Sequence, residues 1–386
     1  MSLTKKEKID NFIVFAVFFQ SVLIILQAIL IDVFRMEPDA TTIYRVVLSA
    51  IPMSIAILLS FIRKPAMFIG VYGVSVLILL LNVVIFPENS EYLIRESTRF
   101  LLPMVISSAL CLITVKNIDL IEKIWYYVSW LVFIEVAFYT IEYFSGTFVI
   151  LDYNMSFSYG CLLPMVALYR KKKKYSIIAS IFLFLIVLSI GSRGAVIIFV
   201  IYLFFDIMQN NKKLILPMII LVSVIFTCIP IFLSYLEAIG ISSRTLAHFT
   251  SGEMFRYDDR ENLNDITIDA IINNPFGIGL WGDRGLFNGS YCHNILIEIF
   301  LNWGILAGVI IIGFFGVKTL QVYFKSDKLN KNRIICYFLC FTAPLMVSGS
   351  YLVSPEFGIF CGLFYLLSIQ NTKPRIQTKF HPSCKS

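Results

Sequence analysis

Charge is what this sequence has least of. Only 15% of its 386 residues are Asp, Glu, Lys or Arg, against about 25% in a soluble domain. An ordinary globular enzyme and a disordered chain are both excluded. Histidine is scarce at three residues, and no HExxH or His-rich cluster suggests a metal. No Walker lysine loop is present, so ATP is not the expected driver. The eight cysteines include no CxxC, which removes support for a zinc site or a redox motif. Most stand inside apolar runs, and Cys336 and Cys340, one helical turn apart, read as small core residues. The net charge of +7 is spread over short loops, which argues against a nucleic-acid-binding face. The sequence calls for no cofactor.

Apolar residues make up 58% of the chain. A helix needs about 20 of them in a row to cross a bilayer. Twelve runs qualify or come close, near 11–31, 43–62, 66–86, 99–115, 124–144, 154–169, 176–191, 194–208, 214–235, 293–317, 334–352 and 355–370. Gly191-Ser192-Arg193-Gly194 is the only break between the seventh and eighth. The first run follows Lys5, Lys6 and Lys8 as a signal peptide would, but lacks a small-residue cleavage site and reads as a retained anchor. The expected fold is all-α and polytopic, with about 12 transmembrane helices and one long outer loop between late helices. Residues 1–235 form an N-terminal bundle, 236–292 the loop, 293–370 the C-terminal helices and 371–386 a tail.

Lys and Arg in the loops set the orientation. With both termini in the cytoplasm, 23 of the 32 cations lie inside, including all 19 lysines. The nine outer cations are all arginines: Arg35, Arg45, Arg95, Arg99, Arg193, Arg244, Arg256, Arg260 and Arg284. Individual members could cap helices or pair with outer acids such as Glu37, Asp39, Glu88 and Glu96. As a set they point to an anionic ligand, because a guanidinium grips phosphate or carboxylate in two places and stays charged when partly buried.

The loop from Leu236 to Cys292 is far longer than the others, and loops of this length are usually functional. Asp258-Asp259-Arg260-Glu261 reads as a helix start of variant capping-box type. Leu263, Ile266, Ala270 and Ile271 follow at helical spacing, giving an amphipathic helix on the membrane surface or against the bundle. Asn273-Asn274-Pro275-Phe276-Gly277 then makes a turn. His293 is expected in the first turn of the tenth span, where the positive helix end disfavours imidazolium and leaves a neutral proton acceptor. An interfacial His bonded to a loop is the plainer alternative. Glu298, inside that span, is expected to face a cavity or a partner. Gly304 and Gly308 form a GxxxG suited to close helix approach. Arg193 either contacts the ligand or snorkels to lipid phosphate. Glu135 and Glu142 share a face, lining a polar cavity or pairing with Arg95 or Arg99.

Three short motifs, in order and on one predicted side, resemble the O-antigen ligase and Wzy-type polymerase superfamily. They are Ser192-Arg193-Gly194, Arg260 with Asn274-Pro275-Phe276-Gly277-Ile278-Gly279, and His293-Asn294 followed after nine residues by Gly304. The family pattern continues, after two intervening residues, with Gly, Thr or Tyr, where this chain has Ala307 and then Gly308. The resemblance implies a bacterial inner-membrane glycosyltransferase with a periplasmic loop. It would move glycan from undecaprenyl diphosphate to an acceptor hydroxyl without a metal. It implies His293 as base, Arg193 and Arg260 as diphosphate clamps, Arg256 and Arg284 as further sugar or phosphate contacts, and Glu298 as a support for His293 or the cavity. A polymerase acting on lipid-linked repeat units, with a chain-length regulator and flippase as partners, is the expectation. A ligase to lipid A core and a glycolipid transporter or flippase are the alternatives.

Overall fold

The computed structural model describes residues 4–147, 155–190, 192–210 and 258–372, with isolated positions between 213 and 231. Every described element is helical. In chain order they are α1 (Lys5–Asp32), α2 (Pro38–Arg63), α3 (Pro65–Ile85), α4 (Ser90–Glu96), α5 (Ser107–Val115), α6 (Ile118–Phe144), α7 (Met155–Arg170), α8 (Lys174–Ile190) and α9 (Arg193–Asn210). After the long loop begins come α10 (Asp258–Asn273), α11 (Gly282–Leu286), α12 (Ile295–Lys325), α13 (Lys328–Phe341) and α14 (Pro355–Thr372). Among the described residues, seven helical segments are long and apolar enough to cross a membrane. Two further apolar helices, Lys174–Ser189 and Pro355–Gln370, are shorter. The chain is a multi-pass membrane protein. The expected ninth run, at 214–235, lies largely outside the described residues, as do 236–257 and the tail.

Two of the expected runs differ in form. The fourth is one segment from Pro87 to Val115 that joins a 3-10 turn, α4, a π-helical stretch (Ser97–Ile106) and α5. Pro103 lies inside the π stretch, where its missing N–H favours a widened turn over regular i to i−4 bonding. The eleventh run stops early. α13 ends at Phe341, a 3-10 turn follows at Ala343–Met346, and the chain then leaves helical geometry until Pro355. Pro344 and Gly349, the latter at φ +112°, account for the break.

Ion pairs gather at one end of the bundle. Glu122, near the start of α6, accepts from Arg170 at the end of α7 (2.6 Å), from Arg333 near the start of α13 (2.9 Å) and from the Tyr337 hydroxyl (2.8 Å). Arg333 also pairs with Asp119. Asp206, near the end of α9, accepts from Lys172 (2.6 Å). Arg63, ending α2, pairs with Asp10 in α1. This is the lysine-rich end of the sequence. α9 starts at Arg193 and carries Asp206 in its last turns, and α12 precedes α13 by a two-residue turn. Arg193 and His293 therefore stand at the opposite end, called here the loop end.

Close helix packing is set by glycines that spacing alone did not single out. Gly358 and Gly362, one turn apart on α14, press against Val105 and against Ala109 with Leu112. A Cβ at Gly358 would overlap the Val105 carbonyl oxygen. This GxxxG carries the helix approach expected of Gly304 and Gly308, because a bare Cα lets two backbones touch.

Candidate active site at the loop end

α12 is a broken helix. Asn294 caps it, its side chain accepting from the Leu296 amide (2.9 Å) and the Ile297 amide (3.4 Å). After nine intervening residues Gly304 leaves helical geometry at φ +79°, ψ +172°. The freed backbone groups need partners in a bilayer, and the loop at 274–279 supplies them. The Ile278 amide donates to the Leu301 carbonyl (2.9 Å), and the Ile305 amide donates to the Pro275 carbonyl (2.9 Å). Gly277, at φ +86°, meets Gly304 backbone to backbone. A Cβ on Gly304 would lie 2.5 Å from the Pro275 oxygen, and one on Gly277 would lie 2.6 Å from the Gly304 nitrogen. Gly304 thus receives a loop and not a neighbouring helix. The Pro-Gly turn and the Gly after the nine-residue spacer are two halves of one clasp.

Two asparagines hold the next stretch of loop. Asn82 of α3 accepts from the Leu280 amide (3.0 Å), and Asn89 donates to the Ile278 carbonyl (2.6 Å). Trp281 is fully buried at φ +58° among Leu79, Leu93, Leu280 and Leu352. Residues Gly277 and Gly279 to Trp281 are therefore buried and anchored, while Asn273 to Phe276 of the expected turn stay exposed. Upstream, α10 starts at Asp258 as expected and packs on α12. Leu263, Thr267, Ala270 and Ile271 turn inward, while Ile266, Ile268 and Ile272 stay exposed. Ile266 belongs to the outer apolar face, which suits a helix lying at a lipid interface.

His293 does not lie in the first helical turn. It precedes the cap, in left-handed backbone geometry at φ +58°. Asn294 takes the capping role because its side-chain oxygen reaches the orphan amides. A non-glycine residue in this conformation costs roughly 1–2 kcal/mol, and such local strain tends to collect at functional sites. The imidazole lies 4.2 Å from the Tyr291 ring, centroid to centroid. On the other side of the loop, Arg284 lies 5.1 Å from the Tyr291 centroid. Arg284 is 4% exposed and donates to Asp283 (2.7 Å) and to the Ser290 carbonyl (3.3 Å). It was expected to contact phosphate or sugar, but the structure turns it inward. Burial pushes the Asp283 carboxyl above the ordinary carboxylate range, and Arg284 pulls part of that back.

Glu298 is 0% exposed. It accepts from the Ser350 hydroxyl and from the Tyr351 amide (3.2 Å). Tyr351 in turn accepts from Asn302 (3.2 Å) and Trp303 (2.9 Å). The carboxylate therefore supports the segment after α13. The early end of α13 is what brings Ser350 and Tyr351 within its reach.

Arg193 opens α9 and is partly buried. Just before it, the Ser192 amide donates to the Ser158 hydroxyl of α7 (2.7 Å), fixing the break between α8 and α9. The 3-10 turn at Ala343–Met346 packs against both α9 and α12, linking the elements that carry Arg193 and His293. Arg260 lies in the first turn of α10; its side chain lies outside the described residues, as does all of Arg256. Glu142 accepts from Thr147 (2.9 Å), and Arg95 pairs with Glu96 (3.0 Å), so the pairing considered between them is not formed. Among the described residues no group of three His, Cys, Asp or Glu could hold a metal ion. Sequence reasoning passed over Asn82, Asn89, Asp283, Tyr291 and Ser350. Asn82 alone carried a signal, as a lone amide in an apolar run.

Residues 178–312 match the family model described as O-antigen ligase (Wzy_C). The matched stretch is about a third of the chain and contains Arg193, Arg260, His293, Glu298 and Gly304. It bears out the resemblance drawn from the three motifs. No curated protein and no solved structure matches the chain.

Proposed function

We propose that this chain, a member of the O-antigen ligase and Wzy-type superfamily by its residues 178–312, is a polysaccharide polymerase of the bacterial inner membrane. It transfers glycan from undecaprenyl diphosphate to the hydroxyl of another lipid-linked repeat unit at the periplasmic face. The observation that carries this reading is the common placement of Arg193 and His293 at the loop end, away from the lysine-rich ion pairs.

In this reading the loop end is periplasmic and both termini are cytoplasmic. His293 takes the proton of the acceptor hydroxyl as that oxygen bonds to the anomeric carbon. The bond between the sugar and the diphosphate breaks, and its electron pair leaves on the diphosphate oxygen. Arg193 and Arg260 hold the leaving group, with Arg256 as a further contact, and stabilise the negative charge as it develops. Guanidinium groups fit because their planar fork matches phosphate oxygens in pairs. Glu298 supports the site through Ser350 and Tyr351.

A one-sided vesicle assay tests the reaction. Purified protein with undecaprenyl-diphosphate-linked repeat units should lengthen the glycan, whereas a transporter would move it unchanged. His293→Ala should abolish chain extension in cells at unchanged protein level; normal polymer from that variant overturns the assignment of the base. The matched family's description as ligase favours a second reading, with lipid A core as acceptor. Deleting the gene separates the two. Loss of a polymerase leaves single repeat units on the surface lipid, and loss of a ligase leaves bare core with polymer stranded on undecaprenyl diphosphate.

A further inference from the structure

We infer that Arg284 and Tyr291 are positioning residues for His293: a buried ion pair holds an aromatic ring, and that ring sets the imidazole. The inference rests on the reading of His293 as the proton acceptor.

The segment from Trp281 to Asn294 is built to be rigid. The Phe287 amide donates to the Asp283 carbonyl (3.0 Å), the Ser290 amide to the Phe287 carbonyl (3.0 Å), and the Gly289 amide to the Arg284 carbonyl (2.7 Å). Arg284 crosses this small loop from the inside, one nitrogen reaching both Asp283 and the Ser290 carbonyl. It thereby ties the start of the segment to the residue before Tyr291. Its guanidinium carbon lies 5.1 Å from the Tyr291 centroid, in range of a cation–π contact. Tyr291 meets the imidazole at 4.2 Å and 48°. Guanidinium, phenol ring and imidazole are thus in serial contact, from a fully buried carboxylate outward to the candidate base.

Two features make this more than loop packing. His293 is held at φ +58°, a geometry that persists only where the surroundings over-determine it. Arg284 is buried, and its guanidinium is engaged by Asp283, Ser290 and Tyr291. A base that must reach a hydroxyl proton is sensitive to its placement, and a shift of about 1 Å can cost about a hundredfold in rate.

The test is steady-state extension of polyisoprenyl-diphosphate-linked repeat units extracted from cells lacking the chain, with purified full-length variants. Arg284→Gln and Tyr291→Ala should each lower kcat by about 10- to 100-fold with KM for the lipid-linked unit unchanged. Tyr291→Phe keeps the ring and should restore kcat to near the unmodified level. A rise in KM at constant kcat for Arg284→Gln would make Arg284 a substrate contact and overturn the inference. So would unchanged kinetics in Tyr291→Ala. If Arg284→Gln fails to fold, the Tyr291 pair decides alone, because Tyr291 is only partly buried. His293→Ala separates the two levels. Activity in that variant removes the base itself, whereas its inactivity beside an active Tyr291→Ala removes only the positioning role.

Discussion

His293 and Gly304 show how much a single backbone angle decides here. Both adopt positive φ, and each does so for a neighbour: Asn294 claims the cap, and the loop at Pro275 claims the space over Gly304. Gly304→Ala adds a Cβ 2.5 Å from the Pro275 oxygen, against backbone that cannot yield. It should destabilise the protein by about 2 kcal/mol or more through strain and overlap, seen as a lower melting midpoint in detergent. Gly313 and Gly316 lie in the same helix with nothing within 4 Å of an added Cβ. Alanine there should leave the midpoint unchanged or raise it, by up to about 1 kcal/mol of helix propensity at each site. Asp283 supplies a pH test. Its proton is held more tightly in the folded loop than in an unfolded chain, so its contribution to stability is present at low pH and is lost as pH rises through the folded value. Amide exchange across 281–291 should slow on mild acidification relative to intrinsic rates, and Asp283→Asn should flatten that dependence.

At the scale of elements, the half-helix from Ile295 to Trp303 explains the spacing between the His-Asn pair and its glycine. Its two and a half turns are capped by Asn294 and closed by the clasp, so the loop carrying α10 is bonded directly to the helix that His293 precedes. Lengthening the spacer by one residue should separate the clasp from the cap and reduce polymer formation even with all named residues present. The second device is the seam between α14 and the segment at 105–112. Gly358→Leu should prevent accumulation of folded protein, because the added side chain meets the Val105 backbone. The atoms nearest an added Cβ at Gly308 belong to Phe300, chiefly its ring, so Gly308→Ala should cost less.

Across the whole molecule, charge is sorted by end. Glu122 receives two arginines and a tyrosine from two other helices, a network that ties α6, α7 and α13 together where the lysines are. Removing Arg333 leaves that carboxylate short of a partner, and Arg333→Ala should lower stability on the order of 3 kcal/mol while leaving the loop end intact. Cysteine labelling from each side of sealed vesicles checks the orientation: positions 172 and 331 should label from one side, and positions 193 and 288 from the other.

The sequence by itself determined what depends on composition and short-range pattern. Apolar runs too long for a soluble core and a helix start at Asp258 were readable because each follows from local chemistry. The end of α8 at Ile190 and the start of α9 at Arg193 were readable for the same reason. Tertiary structure alone decided what Gly304, Glu298 and Arg284 do. A glycine spaced for helix packing instead receives a loop, an intramembrane carboxylate meets Ser350 from a helix that ends early, and an arginine expected at a ligand points into its own loop. In each case the partner lies in space and not along the chain. A backbone group freed in a bilayer, or a charge taken out of water, must find a bond wherever the fold brings one within reach.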